Sequence, residues 1–493
     1  MPSELRFRCP PAPSRDAVRS LWLEQALPGD TLATSRLRGD VNADVCIVGG
    51  GFTGLWTALK LKADDPSLDV VLVEADVCGA GASGRNGGFV MSWWSKFSTL
   101  KKLCGTDEAR RLAEASARGI EDIGRFCADN GIDAEYRHDG WVWAATNPAQ
   151  VGDWDATLEA AESCGDAPFE RLSPEETARR SHSSAHLAGV FEPTCATVHP
   201  GRLARGLARV AAERGVRIFE ESPVTSIDLV GRPVVRTEHG TVRADRVVLA
   251  INAWAAELED YRRSLIVVAS DVIATAPIGD RLARIGWDSG VAISDSRRLV
   301  NYYRRTADGR VVFGKGGGSL GFRGRVGAGF HGGSPRADEV AAHFHRLYPT
   351  LQDVAPERSW RGPIDYSVTG LPSFVRVGGR SDVIAAAGFS GNGVGPAYVA
   401  GRILASMAQE KDDEWAATAL ARPSKAALPP EPFRYLGGRV VREAVARKEA
   451  AEDAGREARR LTRFVASLDP TSFVDLGGDD AAATPTGSEK GSA

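Results

Sequence analysis

No part of the chain constrains its fold more than the stretch Asp44 to Glu74, DVCIVGGGFTGLWTALKLKADDPSLDVVLVE. The apolar run Val45-Cys46-Ile47-Val48 reads as a buried parallel strand. Gly49, Gly51 and Gly54 follow at G-x-G-x-x-G spacing, and a helical pattern runs on through Leu61. A second apolar run, Val70 to Val73, ends in the acid Glu74. Each part has a physical task. Gly49 permits a tight turn, Gly51 lets backbone approach a pyrophosphate, and Gly54 lets helix and strand pack closely. The positive end of the helix then faces the phosphates. Glu74 is placed to accept both hydroxyls of an adenosine ribose, which disfavours a 2′-phosphate and so NADP. A plain glycine-rich turn would leave this acid unexplained.

A chain of 493 residues accommodates two or more domains. Hydrophobic content of 43% and charged content of 25% suit an ordinary globular protein. A net charge of -3 gives no electrostatic footprint for nucleic acid. No apolar run is long enough to span a membrane, and the first residues, MPSELRFRCPPAPSRD, carry no secretory apolar core. Cysteines 9, 46, 78, 104, 127, 164 and 195 are scattered, with no C-x-x-C pair. They read as reduced thiols of a cytoplasmic protein, with no metal site expected.

Beyond Glu74, the loop Cys78 to Gly88 is too rich in glycine to pack a core, and suits wrapping a phosphorylated ligand through backbone N–H groups. Arg85 and Asn86 stand at fixed places within it. Helical patterns cover 106–130, 149–164 and 173–180, and Asp139-Gly140 predicts a hairpin across 135–146. The α/β rhythm returns at 195–250 with a helix at Pro200–Arg214, a strand at Val216–Glu220, and an apolar strand 244–250 that runs into Ile251-Asn252-Ala253-Trp254. This break and return means that one domain interrupts another. Strands are expected at Leu265–Ala274, Arg298–Arg305 and Arg310–Lys315. A last strand, glycine turn and helix occupies 382–409 and contains Gly388-Phe389-Ser390-Gly391-Asn392-Gly393-Val394. A charged helical appendage spans 433–465.

Taken in order, the G-x-G-x-x-G unit with Glu74, the Gly79–Gly88 loop, the Asn301–Lys315 hairpin and the Gly388–Val394 turn resemble the D-amino-acid-oxidase-like FAD oxidoreductases. The nearest branch looks like the gamma-glutamylputrescine oxidase type, with glycine and sarcosine oxidases as relatives. The resemblance covers about 20–410 and is most specific at GASGRNGG and GFSGNGV. It implies an α/β fold, with a Rossmann-like FAD-binding domain interleaved with a mixed-sheet α+β substrate domain, plus a C-terminal helical extension. The expected division is an N-terminal arm (1–40), an FAD-binding domain (41–100, 195–264 and 355–410), a substrate domain (101–194 and 265–354), a helical extension (411–470) and a disordered tail (471–493).

By position, the resemblance assigns the pyrophosphate of a non-covalent FAD to Gly49, Gly51, Phe52, Thr53 and Gly54. Glu74 and Ala75 would hold the adenosine, and Val224 would pair with adenine. Ser83, Gly84, Arg85, Asn86, Gly87 and Gly88 would line the stretch toward the flavin, with Ala253 and Trp254 as further contacts. Gly391, Asn392, Gly393 and Val394 would sit at the pyrimidine end, where a helix start stabilises negative charge. The branch often has His where this chain has Asn392, which donates a hydrogen bond but does not titrate near neutrality.

The implied reaction is hydride transfer from a C–H beside nitrogen to flavin N5, giving an imine that hydrolyses, with oxygen or another acceptor taking the electrons. The substrate is expected to be a small amine or amino acid. Arg304 would receive a substrate anion with Tyr302 or Tyr303 beside it, Lys315 would promote reaction with oxygen, and Trp93, Trp94 and Trp360 are candidate aromatic walls. Strand alternation sets Tyr302 and Arg304 on one face, Tyr303 and Arg305 on the other. Two other readings stand beside this one. One is a flavin-dependent tailoring oxidase acting on a hydroxy acid, an N–N compound or a biosynthetic intermediate. The other is a non-catalytic flavoprotein interaction module.

Overall fold

The computed structural model describes residues 3–7, 18–165, 167–422 and 427–469. The expected tail at 471–493 lies outside the described residues, as does Cys9.

Apolar β-rich runs assemble the first sheet. Gly39–Val48 pairs in parallel with Val70–Val73 on one side and Gly240–Leu249 on the other, and Cys46 faces both Val71 and Val247. Arg217–Phe219 extends the parallel set beyond Val70–Val73. Gly240–Leu249 divides its pairing along its length. Its first half joins Val234–Thr237 antiparallel, and Val247 to Leu249 pair in parallel with Val383–Ala387. Val224–Asp228 and then Glu4–Arg6 continue the antiparallel side.

One face of this sheet is covered by Phe52–Asp64, Thr106–Asp129, Pro200–Glu213 and Pro396–Ala408, whose apolar stripes share a core with Ile47 and Leu72. Close approach is built into the turn. A Cβ at Gly54 would lie 2.0 Å from the Gly49 carbonyl oxygen, and Gly49 itself holds φ +110° with Ala250 O where a Cβ would be.

The second sheet runs in the order Pro356–Ser367, Leu265–Thr275, Val311–Lys315, Asn301–Arg305, Ala292–Asp295, Trp141–Ala145, Ala188–Glu192, Glu170–Leu172. Only the pair Ala292–Asp295 and Trp141–Ala145 is parallel, so the sheet is mixed. Tyr303 and Phe313 pack on its outer face against Ala337–Leu347. The opposite face carries Tyr302 and Ser270.

Three expectations change. Trp141–Ala145 does not fold back on 136–138. Its partners are Ala188–Glu192 and Ala292–Asp295, because sheet pairing of an apolar run outweighs a local Asp-Gly turn signal. Pro356–Ser367, expected with the dinucleotide unit, pairs along its length with Leu265–Thr275 in the second sheet. The helical appendage is two helices, Phe433–Asp453 and Arg460–Ala466. Among the described residues, no helix is long and apolar enough to cross a membrane.

Candidate active site

A cavity of about 1990 Å³ runs between the two sheets. Ligand pockets commonly measure about 300–1,000 Å³, so this one has room for a dinucleotide and a second molecule. Its walls bring together segments more than three hundred residues apart. Gly49, Gly51, Phe52 and Thr53 line it, as do Glu74 and Ala75. So do Ser83, Arg85, Asn86 and Gly87 of the glycine loop, then Val224 and Trp254. Gly391, Asn392, Gly393 and Val394 complete the expected set. Four of the expected contacts lie behind the wall. Gly54 packs on Gly49, Gly84 packs on Gly79, Gly88 packs on the Val198 carbonyl, and Ala253 is in the core.

The helix Phe52–Asp64 starts at Gly51 without a side-chain cap of its own, and Ser83 Oγ accepts the Phe52 N–H at 2.9 Å. Glu74 Oε2 accepts Gly50 N–H at 2.7 Å and Oε1 accepts Asp76 N–H at 2.9 Å. Burial pushes this carboxyl up to about 7, against the pull of those two backbone donors. Asn86 shapes its own loop. Its Nδ2 donates to Ser83 O at 2.7 Å and its Oδ1 accepts Gly88 N–H at 2.7 Å. Arg85 Nε donates to Ala80 O at 2.8 Å and Nη1 to Arg361 O at 3.1 Å. Asn392 Nδ2 donates to Ser92 O at 3.2 Å.

These residues fit FAD. Among the described residues, six cavity-lining groups, Gln150 Nε2, Asn252 Oδ1, Trp254 Nε1, His331 Nε2, Asp365 Oδ1 and Asn392 Oδ1, are buried without a protein partner, which is costly unless a polar ligand meets them. The turn at Gly49–Gly51 keeps backbone free of side chains where a pyrophosphate would lie.

The residues expected at the substrate end separate. Tyr302 lines the cavity, and its hydroxyl bonds Ser270 Oγ at 2.8 Å. Phe89 meets its ring edge-on at 6.0 Å between centroids. Arg304 is buried and does not line the cavity. Its Nε donates to Gly87 O at 2.8 Å, its Nη2 to Val198 O, and its guanidinium lies 5.1 Å from the Trp22 ring. Lys315 is neither solvated nor at the cavity. It is buried, donates to Leu299 O at 3.3 Å, and has its pKa lowered by that burial. Alternation along Val311–Lys315 explains this: Lys315 shares a face with Phe313, whereas Gly314 lies beneath Tyr302.

Trp93, Trp94 and Trp360 are core residues. The aromatic wall is instead Trp141 and Trp143, stacked at 5.4 Å, with Trp141 Nε1 bonded to Ser294 Oγ at 3.0 Å. The N-terminal segment also has a part that its sequence did not announce. Ser20 caps the helix Leu21–Ala26 and bonds Gly84 O, and Trp22 Nε1 donates to Asn86 O at 2.8 Å. Among the described residues, each cysteine is a free thiol, and no cluster of three or more His, Cys, Asp or Glu is placed to hold a metal.

A sheet with a parallel centre of the dinucleotide type is thus joined through one long cavity to a second, mixed sheet. The family model for FAD dependent oxidoreductase (DAO) matches residues 44–407. Gamma-glutamylputrescine oxidoreductase of Escherichia coli (strain K12) is 32% identical over 421 residues, covering 84% of this chain and 92% of that protein. A probable oxidoreductase, OrdL, of Rhizobium meliloti (strain 1021) is 30% identical over 400 residues, covering 80% of this chain and 89% of the relative. The crystal structure of glycine oxidase from Geobacillus kaustophilus superposes with a TM-score of 0.62 at 22% identity, covering 78% of this chain and 99% of that one. The chain belongs to the DAO family of FAD-dependent oxidoreductases. It is an enzyme whose cofactor is FAD.

Proposed function

We propose that the protein oxidises the C–N bond of a small amine or amino acid, with the product imine hydrolysing in water. The observation that carries this reading is the continuity of the cavity, from the Gly49–Thr53 turn past Asn392 to the Tyr302 face of the second sheet. The names of the relatives, a gamma-glutamylputrescine oxidoreductase among them, support nitrogen-bearing substrates. FAD, bound without a covalent link, supplies the hydride acceptor.

The residues of the chain bind, orient and exclude water. Gly49, Gly51, Phe52 and Thr53 receive the pyrophosphate, and Glu74 with Ala75 holds the adenosine. Ser83 to Gly87 and Gly391 to Val394 enclose the path to the reactive ring. Tyr302, Phe89, Trp141 and Trp143 form an apolar, aromatic floor that favours a neutral amine over its ammonium form by desolvation. Arg304 is reassigned from anion receptor to brace, because its donors are engaged by Gly87 and Val198. Lys315 is reassigned to the far side of the sheet. The discontinuous FAD-binding and substrate domains are kept, with 356–367 moved to the second.

Anaerobic mixing with primary amines, N-methyl amines, amino acids and hydroxy acids tests the reading. Loss of the yellow colour with an amine or amino acid is expected. Bleaching by hydroxy acids alone would move the enzyme to the tailoring-oxidase class. No bleaching by any compound, with FAD retained, would favour a non-catalytic module.

A further inference from the structure

The family match ends at residue 407, yet the cavity does not end with the family's residues. Phe433, Gly437, Val441, Val445, Glu449 and Glu452 of the helix Phe433–Asp453 all line it. Steps of four, four, four, four and three place these positions on one stripe. The helix therefore turns a single face to the cavity over about 28 Å of its length.

That stripe has a composition. Gly437, Val441 and Val445 are small or apolar, and Val445 shares a buried cluster with Leu299. Ile266 and Val268 of the second sheet line the same cavity, with Val300 and with Leu320, whose side chain packs against Gly438 of the helix. Arg434 and Arg442 also reach the cavity, with their guanidinium groups held by the carbonyls of Arg262 and Gly317, and at the C-terminal end Lys448 pairs with Glu452 at 2.6 Å.

The helix is also fixed at both ends to the family domain. Near its start, Arg434 donates to Arg262 O and pairs with Glu431 at 3.0 Å. Near its end, Glu449 Oε1 accepts Leu299 N–H at 3.0 Å. Asp453 receives Arg297, Asn147 at 2.9 Å and Arg346 at 2.9 Å. Arg297 is itself buried against Asp295 at 2.9 Å, and both line the cavity. Buried ion pairs of this kind specify one arrangement, since breaking them leaves an uncompensated charge. A tail serving only as a solvated face would need none of them.

We propose that this helix is the outer wall of the substrate chamber, and that it selects amines carrying an extended alkyl or arylalkyl body over amines the size of glycine. The proposal rests on the amine reading above and adds the substrate class. An apolar helical stripe opposite an aromatic floor gains from burying hydrocarbon along its length. A glycine-sized amine would leave the same surfaces wet.

The experiment uses the full-length, FAD-loaded protein without oxygen. Hydrogen exchange is followed by mass spectrometry with hexylamine, 2-phenylethylamine or glycine as probe. In parallel, flavin bleaching by hexylamine and by methylamine is compared for wild type and V445W. Expected is exchange protection of 433–449 by hexylamine and 2-phenylethylamine but not by glycine. V445W, which narrows the chamber, should lower the hexylamine-to-methylamine ratio at least tenfold. Protection at 141–145 and 301–305 with none at 433–449 would overturn the wall and leave amine oxidation standing. An unchanged ratio in V445W would do the same. No protection and no bleaching with any amine would overturn both.

Discussion

Replacing Glu74 with Gln is the sharpest test of the cofactor site. Glu74 is half-buried at the cavity wall, and each oxygen already accepts one backbone N–H, from Gly50 and Asp76. Each oxygen keeps a further lone pair for a ribose hydroxyl. Gln has the same shape but presents an NH₂ to one of those donors. A hydrogen bond to a charged group contributes about 1.5–3 kcal/mol, so E74Q should weaken FAD by about 2–3 kcal/mol, roughly 30- to 150-fold in Kd. The pH dependence follows from the same carboxyl, which burial raises from 4.5 to about 7. Between those values the folded apoprotein holds a proton that the unfolded chain has lost, so apoprotein stability falls as pH rises through that window. FAD needs the ionised acceptor. Affinity should therefore drop as pH falls below about 7, approaching tenfold per unit, and E74Q should be flat. Titrating apoprotein with FAD and following the quenching of flavin fluorescence between pH 5.5 and 8 measures both effects. A Kd for E74Q within threefold of wild type, with the same pH slope, would refute the ribose assignment.

Other expectations concern packing and the chamber floor. G54A should fail to hold FAD and lower the melting temperature, since its Cβ would meet Gly49 O at 2.0 Å; a wild-type melting curve would contradict the turn geometry. R304M leaves the carbonyls of Gly87 and Val198 without a donor, at about 1–3 kcal/mol each. It should lower Tm with little change in KM, and a selective rise in KM for anionic substrates at unchanged Tm would restore Arg304 as an anion receptor. Y302F removes the bond to Ser270 Oγ and should cost about 1 kcal/mol in stability. Its rate of anaerobic flavin reduction should nevertheless fall severalfold, and a wild-type rate would take Tyr302 out of the chamber.

The first βαβ unit was legible from local signals alone. Apolar run, glycine spacing and terminal acid are all set within Asp44–Glu74, and the structure keeps each in its expected relation. The loop Gly79–Gly88 and the turn Gly388–Val394 were legible for the same reason, because glycine-rich backbone next to a strand has few other uses. Residues on the second sheet were not. Alternation along Asn301–Arg305 correctly paired Tyr302 with Arg304 on one face. It could not show that Trp22, far away in sequence, fills the space beneath Arg304 and that Gly87 and Val198 take its donors. Lys315 failed similarly, since the face it occupies depends on the register with Asn301 and on which side Ala337–Leu347 packs.

The sequence by itself determined the strand, glycine turn and helix with an acid ending the next strand, because that unit needs only neighbours a few residues apart. The tertiary structure decided what encloses the rest of the cavity. It set Trp141 and Trp143 in place of Trp93, Trp94 and Trp360, gave Pro356–Ser367 to the second sheet, and brought the helix Phe433–Asp453 across the chamber. Those outcomes turn on which apolar faces meet and which buried charges find partners, and such contacts join residues that no local spacing relates.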